Sequence, residues 1–237
     1  MQGVRLFGSP AGNHDPLQHL AGSDVWWASF RMADNARLSY RLAPDVPLIA
    51  GSAMEQRRAR LLQPNLQIMQ QALQDLGLML SSRADVGLIL DTLLKGLHQG
   101  AGLERVMLAV LADGQSKFRV KRAVGEGTQA WVSDFELPVG ERNEQTVFSY
   151  VLRHKEALWM GVPASYNLND LVTPAMRQSL GQGMFFVAPL LAGKREIGVL
   201  YADGRLSGRA LKHEQFVAFK RFAELTGRCL DALSQRK

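Results

Sequence analysis

Two apolar runs near the C-terminal end, MFFVAPLL and REIGVLYAD, stand on either side of Ala192-Gly193-Lys194. Their hydrophobicity is nearly continuous, so neither face of the hairpin they form can be left to water. Strands of this kind occupy the centre of a sheet and are covered on both sides. The chain must therefore supply one layer for each face.

Helical seams offer the first layer. Leu66, Met69, Leu73, Leu76 and Leu80 follow the 3, 4, 3, 4 spacing of a heptad. Pro64 suits the first turn of that helix, where its missing N–H would have no partner. Ser82-x-x-Asp85 reads as a capping box for a second helix, with Val86, Ile89, Leu90, Leu93, Leu94 and Leu97 on its apolar face. Gly100 and Gly102 end it. A closing helix begins near Lys212, and Phe216, Phe219, Ala223, Thr226, Leu230 and Leu233 repeat the seam. Each seam serves either to pack on the neighbouring sheet or to pair two copies.

Strands and short helices fill the middle. RVMLAVLA and KFRVKRAVG flank Asp113-Gly114, a favoured hairpin turn. Alternation sets Phe118, Val120 and Arg122 on one face and Arg119 and Lys121 on the other. WVSDFELPV is expected to be a third strand, ended by Pro138 and Gly140. NEQTVFSYVLRHKE predicts a short helix and ALWMG a short strand. In the long polar connection, Thr173 caps a helix opened by Pro174. Gly125-x-Gly127 and Gly181-x-Gly183 lack the Lys-Ser/Thr of a phosphate loop and read as turns with positive φ. This order is that of an α+β fold, an antiparallel sheet flanked by helices.

The front of the chain is less regular. SDVWWASFRMADNARLSYRL predicts an amphipathic helix capped by Ser23, with Trp27, Phe30, Leu38 and Leu42 among its apolar positions. APDVPLIAGS then reads as a linker. The expected division is an N-terminal helical extension and linker over 1–60, a connecting helix over 61–82, and a domain over 83–237.

Composition narrows the function classes. Of 237 residues 46% are apolar, enough for a core. No stretch reaches the roughly 20 apolar residues that span a bilayer, and MQGVRLFGSPAGNHD has no signal-peptide run. A single cysteine, Cys229, excludes an internal disulfide, which fits a cytoplasmic protein. The histidines, at 14, 19, 98, 154 and 213, have no ligand-like spacing, so no metal site is expected. Net charge is +6, and from Gly204 to Lys237 eight basic residues face three acidic ones. That excess reads as the solvated face of a terminal helix rather than a nucleic-acid footprint.

Leu137-Pro138-Val139-Gly140, Ala188-Pro189-Leu190 and Ile197-Gly198-Val199-Leu200 occur in an order and spacing that resembles a GAF domain over residues 83–235. The resemblance implies a profilin/PAS-like antiparallel sheet and a non-catalytic sensory module, with no cofactor. It also implies a small-molecule pocket. Residues 146–152 and 166–180 would roof it, with Phe186 among its floor. Candidate ligand-binding residues are Trp131, Phe135, Phe148, Trp159, Tyr166 and Phe185. Methionine sulfoxide reduction, known on this fold, needs several cysteines, and this chain has one. Of the cyclic-nucleotide signature only Glu214 fits, and no cysteine stands near the pocket segments to hold a bilin. NHDP followed by WWASFRMADNARL resembles the closing turn and helix of an HDOD domain, through His14, Pro16 and Ala33-Asp34-Asn35. A homodimer through helices 64–80 and 212–233 is expected. The alternative is the effector-binding part of a DNA-binding regulator, motivated by Arg57, Arg58, Arg60 and the basic tail.

Overall fold

The computed structural model describes residues 62–82, 84–112, 114, 116–140, 145–207 and 209–235, and before them the strands at 4–9, 15–16, 18–19, 26–27 and 39–44. The chain divides into two units, 1–60 with 207–210, and 61–206 with 211–237.

In the first unit β1 (Val4–Ser9) pairs antiparallel with β2 (Asp15–Pro16) and β5 (Ser39–Pro44). β3 (Gln18–His19) pairs with β4 (Trp26–Trp27). The helix expected over residues 23–42 is therefore replaced by strand at Trp26–Trp27 and Ser39–Pro44. Trp, Tyr and Leu at those positions favour a pleated surface as readily as a helix, and strand partners decided the outcome. Its Ser23 cap, Phe30 and Leu38, together with His14 and Ala33-Asp34-Asn35, lie outside the described residues.

The second unit is built on six antiparallel strands in the order β8-β7-β6-β11-β10-β9. They are β6 (Arg105–Ala112), β7 (Lys117–Val124), β8 (Glu136–Pro138), β9 (Leu158–Met160), β10 (Phe185–Ala192) and β11 (Arg195–Asp203). As the two apolar runs require, β10 and β11 form a hairpin turned at Gly193-Lys194, with β6 beyond β11 and β9 beyond β10.

On one face lie α1 (Leu66–Met79), α2 (Val86–Lys95) with a π turn Gly96–Gly100, and α6 (His213–Ser234). Asn65 caps α1 through its side chain, which accepts from the Ile68 N–H at 3.1 Å, so Pro64 stands just outside the helix. Asp85 rather than Ser82 caps α2: its Oδ1 accepts from the Gly87 and Leu88 amides at 2.6 and 3.2 Å. A carboxylate one residue from the helix reaches two amides, which Ser82 is too far back to do. The seam of α1 turns inward, with Leu76 fully buried and Met69, Leu73 and Leu80 packed on the core. Phe219, Phe222 and Cys229 of α6 are likewise buried. Both seams thus meet the domain itself, at roughly 1.5–3 kcal/mol for each large side chain fully buried.

On the other face lie α3 (Gln129–Asp134), α4 (Val147–His154), a 3-10 helix (Pro163–Leu171) and α5 (Pro174–Leu180). The strand expected from Trp131 is instead the helix α3, and only Glu136–Pro138 is strand. Gly125 and Gly127, at φ 117° and 76°, turn the chain off β7 so that α3 folds back over that strand. Thr173 caps α5 and Pro174 opens it, as expected. A β-bulge also alters β7: Leu108 pairs Arg122 but Ala109 pairs Val120. Lys121 is the extra residue, and Arg122 moves to the helix face, 3.7 Å from Asp91 of α2. No helix among the described residues is long and apolar enough to cross a membrane.

Candidate functional site

The chamber between the sheet and α3, α4 and α5 is lined from both sides by aromatic side chains. Phe118 of β7 meets Phe148 of α4 edge-on, ring centroids 5.6 Å apart at 89°. Trp131 of α3 stands edge-on to Tyr201 of β11 at 5.9 Å, and Phe185 of β10 lies 5.2 Å from the same tyrosine. Phe135 packs 6.2 Å from Phe148. All six side chains are buried, Phe118 and Phe148 completely. The side chains themselves occupy this space.

Four of the candidate residues, Trp131, Phe135, Phe148 and Phe185, meet in this chamber. Two do not. Trp159 faces the long helices, edge-on to Phe186 at 5.4 Å and 5.9 Å from Phe216. Adjacent strand residues point to opposite faces, so Phe185 and Phe186 cannot share a floor, and Trp159, paired with Phe186, follows it. Tyr166 on the 3-10 helix is 58% exposed and points away from the packed interior.

One polar cluster closes the chamber at the end of β6 and β11. Asp203, fully buried, accepts from Arg105 Nε at 3.0 Å and forms a second contact with its Nη2. The Tyr201 hydroxyl donates to Asp203 Oδ2 at 2.7 Å, and the Arg205 amide donates to Oδ1 at 3.3 Å. Arg105 Nη2 also donates to the Leu180 carbonyl at 3.0 Å, at the end of α5. Its guanidinium lies 4.5 Å from the centroid of Trp131, whose Nε1 donates to the Ser179 carbonyl at 3.1 Å. Arg105 therefore joins the sheet to both α3 and α5 by an ion pair, a cation–π contact and a main-chain hydrogen bond.

Charge balance in the cluster is set by burial and pairing. Burial works to lower the Arg105 pKa, but the hydrogen bond and charge of Asp203 outweigh it, and the net shift is upward. Burial, then the Asp203 charge and hydrogen bond, hold the Tyr201 phenol well above its ordinary range. Sequence reading missed this cluster. Its one local signal was an aspartate ending an otherwise apolar strand, Tyr201-Ala202-Asp203.

Among the described residues of the chamber no nucleophile stands beside a base. Cys229 lies among the helices on the opposite face, where its thiol donates to the Leu76 carbonyl at 3.2 Å and burial pushes its pKa up. Among the described residues no three histidine, cysteine, aspartate or glutamate side chains group as metal ligands. Two sizeable cavities lie on the helix face instead, of about 980 and 550 Å³ between the helices and the sheet.

Solved structures share this architecture. A methyl-accepting chemotaxis protein fragment, residues 122 to 287, aligns at 20% identity with a TM-score of 0.52, over 72% of this chain and 98% of that one. A GAF domain/HD domain protein from Geobacter sulfurreducens aligns at 14% identity and TM-score 0.51, over 65% and 97%. The free methionine-R-sulfoxide reductase from Neisseria meningitidis, in complex with its substrate, aligns at 16% identity and 0.51, over 74% and 97%. At these identities the likeness is one of fold. No curated protein matches the chain by sequence. A family model for the N-terminal part of enterochelin esterase matches residues 1–75, and the stretch that resembles an HDOD closing helix falls inside that match. The six-stranded antiparallel sheet, the paired terminal helices and the roofed aromatic chamber coincide with a second match, the GAF domain model over residues 85–232, and the chain belongs to that family.

Proposed function

We propose that this chain is a non-catalytic regulatory module in which the aromatic chamber is the closed form of a small-molecule site. The observation that carries the reading is Arg105, whose side chain ties Asp203 of the sheet to Leu180 and Trp131 of the roof. A ligand seated among Phe135, Phe148 and Phe185 has to lift that roof, and the cost falls on one buried polar cluster. GAF domains are regulatory and sensory modules that bind small ligands, and the aromatic lining suits such a ligand. The neisserial reductase supports the idea that this fold holds a small molecule. Two-dimensional amide NMR of the full chain against a fragment library tests it. Shift changes clustered at Phe135, Phe148 and Phe185 support the reading, and hits confined to other surfaces sink it.

Pairing of two copies is the second half of the proposal. Beyond Leu66 the seams face inward, so the contact would use what stays exposed: Leu66, the first seam position, and Leu78 of α1, 59% and 71% exposed, and Val217 of α6, 47% exposed. Sedimentation at tens of micromolar tests this, and a strict monomer removes it. A cytoplasmic setting and a joined HDOD segment complete the reading; the latter rests on the His14, Pro16 and Ala33-Asp34-Asn35 resemblance, and the strand at Trp26–Trp27, where its closing helix would begin, weighs against it.

A further inference from the structure

A groove of about 980 Å³ opens on the helix face of the sheet, where α2 begins and α6 ends. It lies across the sheet from the aromatic chamber. Its floor is aliphatic: Leu108 and Leu190 are buried, while Val110, Ile197, Leu230 and Leu233 keep part of their surface open. The volume is at the upper end of the range for small-molecule sites.

Two cations and one acid stand at the rim. Lys121, placed there by the β7 bulge, and Arg195, at the start of β11, both line the groove and are exposed. The acid, Asp85, keeps its charge, but its Oδ1 accepts from the Gly87 and Leu88 amides as the cap of α2, where the positive end of the helix offsets it. Arg122 beyond has its own partner in Asp91. Two cations thus stand at the rim of an aliphatic trough whose one lining carboxylate caps a helix.

We infer that this groove binds an amphipathic carboxylate, a medium-chain fatty acid, with its tail over Val110 and Ile197 and its head drawn to the rim by the positive charge of Lys121 and Arg195. A neutral apolar molecule would leave both cations unused. A small polar anion would leave the trough wet. A fatty carboxylate answers both features, because its methylenes gain from leaving water and its head keeps a charged partner.

Titration calorimetry of the full chain with octanoate, decanoate, dodecanoate and decanol tests the inference. The expected result is decanoate binding at least about tenfold tighter than decanol, with affinity rising up to about fourfold per added methylene. Lys121→Glu with Arg195→Glu should abolish the preference for the acid while decanol binding persists. Ile197→Trp, which fills the trough, should weaken both by about tenfold or more, and thermal melts of the unliganded variants check that they fold. Equal binding of acid and alcohol, affinity indifferent to chain length, or no heat below the micelle threshold would each overturn it. A concentration-dependent dimer that Ile197→Trp abolishes would also overturn it and give the groove to a second copy.

Discussion

Arg105 and Asp203 stand 98 residues apart in the chain, yet the Nε–Oδ1 distance between them is 3.0 Å and the carboxylate is fully buried. The register of β6 against β11 pairs these two residues directly, so the antiparallel sheet itself creates the contact. At the ends of these two central strands the guanidinium then reaches the Leu180 carbonyl and the Trp131 ring.

Removing one member of this pair leaves the other charged and without its counter-ion in a buried site. Arg105→Met should cost about 3–5 kcal/mol in urea unfolding. Asp203→Asn alone should cost a comparable amount. The double variant should be clearly less destabilised than the sum, because neither charge is then orphaned. Strict additivity would mean the two residues act independently.

Alkaline pH should expose the state of Tyr201. Its native pKa is raised above the ordinary 10.0, so the folded form keeps a proton that the unfolded form releases. Its contribution to stability is intact below that value and is lost as pH rises through the range above it. The loss runs at up to about 1.4 kcal/mol per pH unit. In Tyr201→Phe that slope disappears. The measurement is the difference in unfolding free energy between wild type and variant, expected to be flat below about pH 9 and to fall above it.

Much of this architecture was legible because it follows from short-range pattern. The apolar runs of β10 and β11, the Thr173–Pro174 helix start and the closing seam from Phe216 each declare their own element. α3 did not, because Trp131, Ser133, Phe135 and Leu137 alternate like a strand, and six residues are too few to display a helical period. The side on which Trp159 sits depends on strand pairing with Phe186, which no local window contains. The same holds for the Arg105 cluster, where the partners are brought together only by the sheet. The candidate site was thus half visible: its aromatic content was, but its polar closure and facing were not.

Two helical glycines should respond in opposite directions to alanine. Around Gly77 a methyl group meets nothing within 4 Å, so Gly77→Ala should stabilise by about 0.5–1 kcal/mol through helix propensity. At Gly227 the same methyl would fall 2.2 Å from the Leu191 carbonyl oxygen, where α6 presses on β10. Gly227→Ala should destabilise by about 1–3 kcal/mol despite the better propensity. Thermal melts of the two variants decide it.

Thr226 carries a buried hydroxyl with no hydrogen-bond partner among the described residues. Thr226→Val keeps the shape and removes the desolvated group. It should raise stability by about 1 kcal/mol in urea unfolding. A loss of stability would reveal a partner for that oxygen.

Hydrogen exchange on wild type and Arg105→Met, with Arg105→Lys as a milder companion, tests most directly whether this residue latches the chamber roof. Amides of Gln129–Asp134 and of residues 175–180 should exchange at least about tenfold faster in Arg105→Met, while those of β6, β10 and β11 keep their protection. Uniform acceleration across sheet and roof, or no change in the roof, would contradict it.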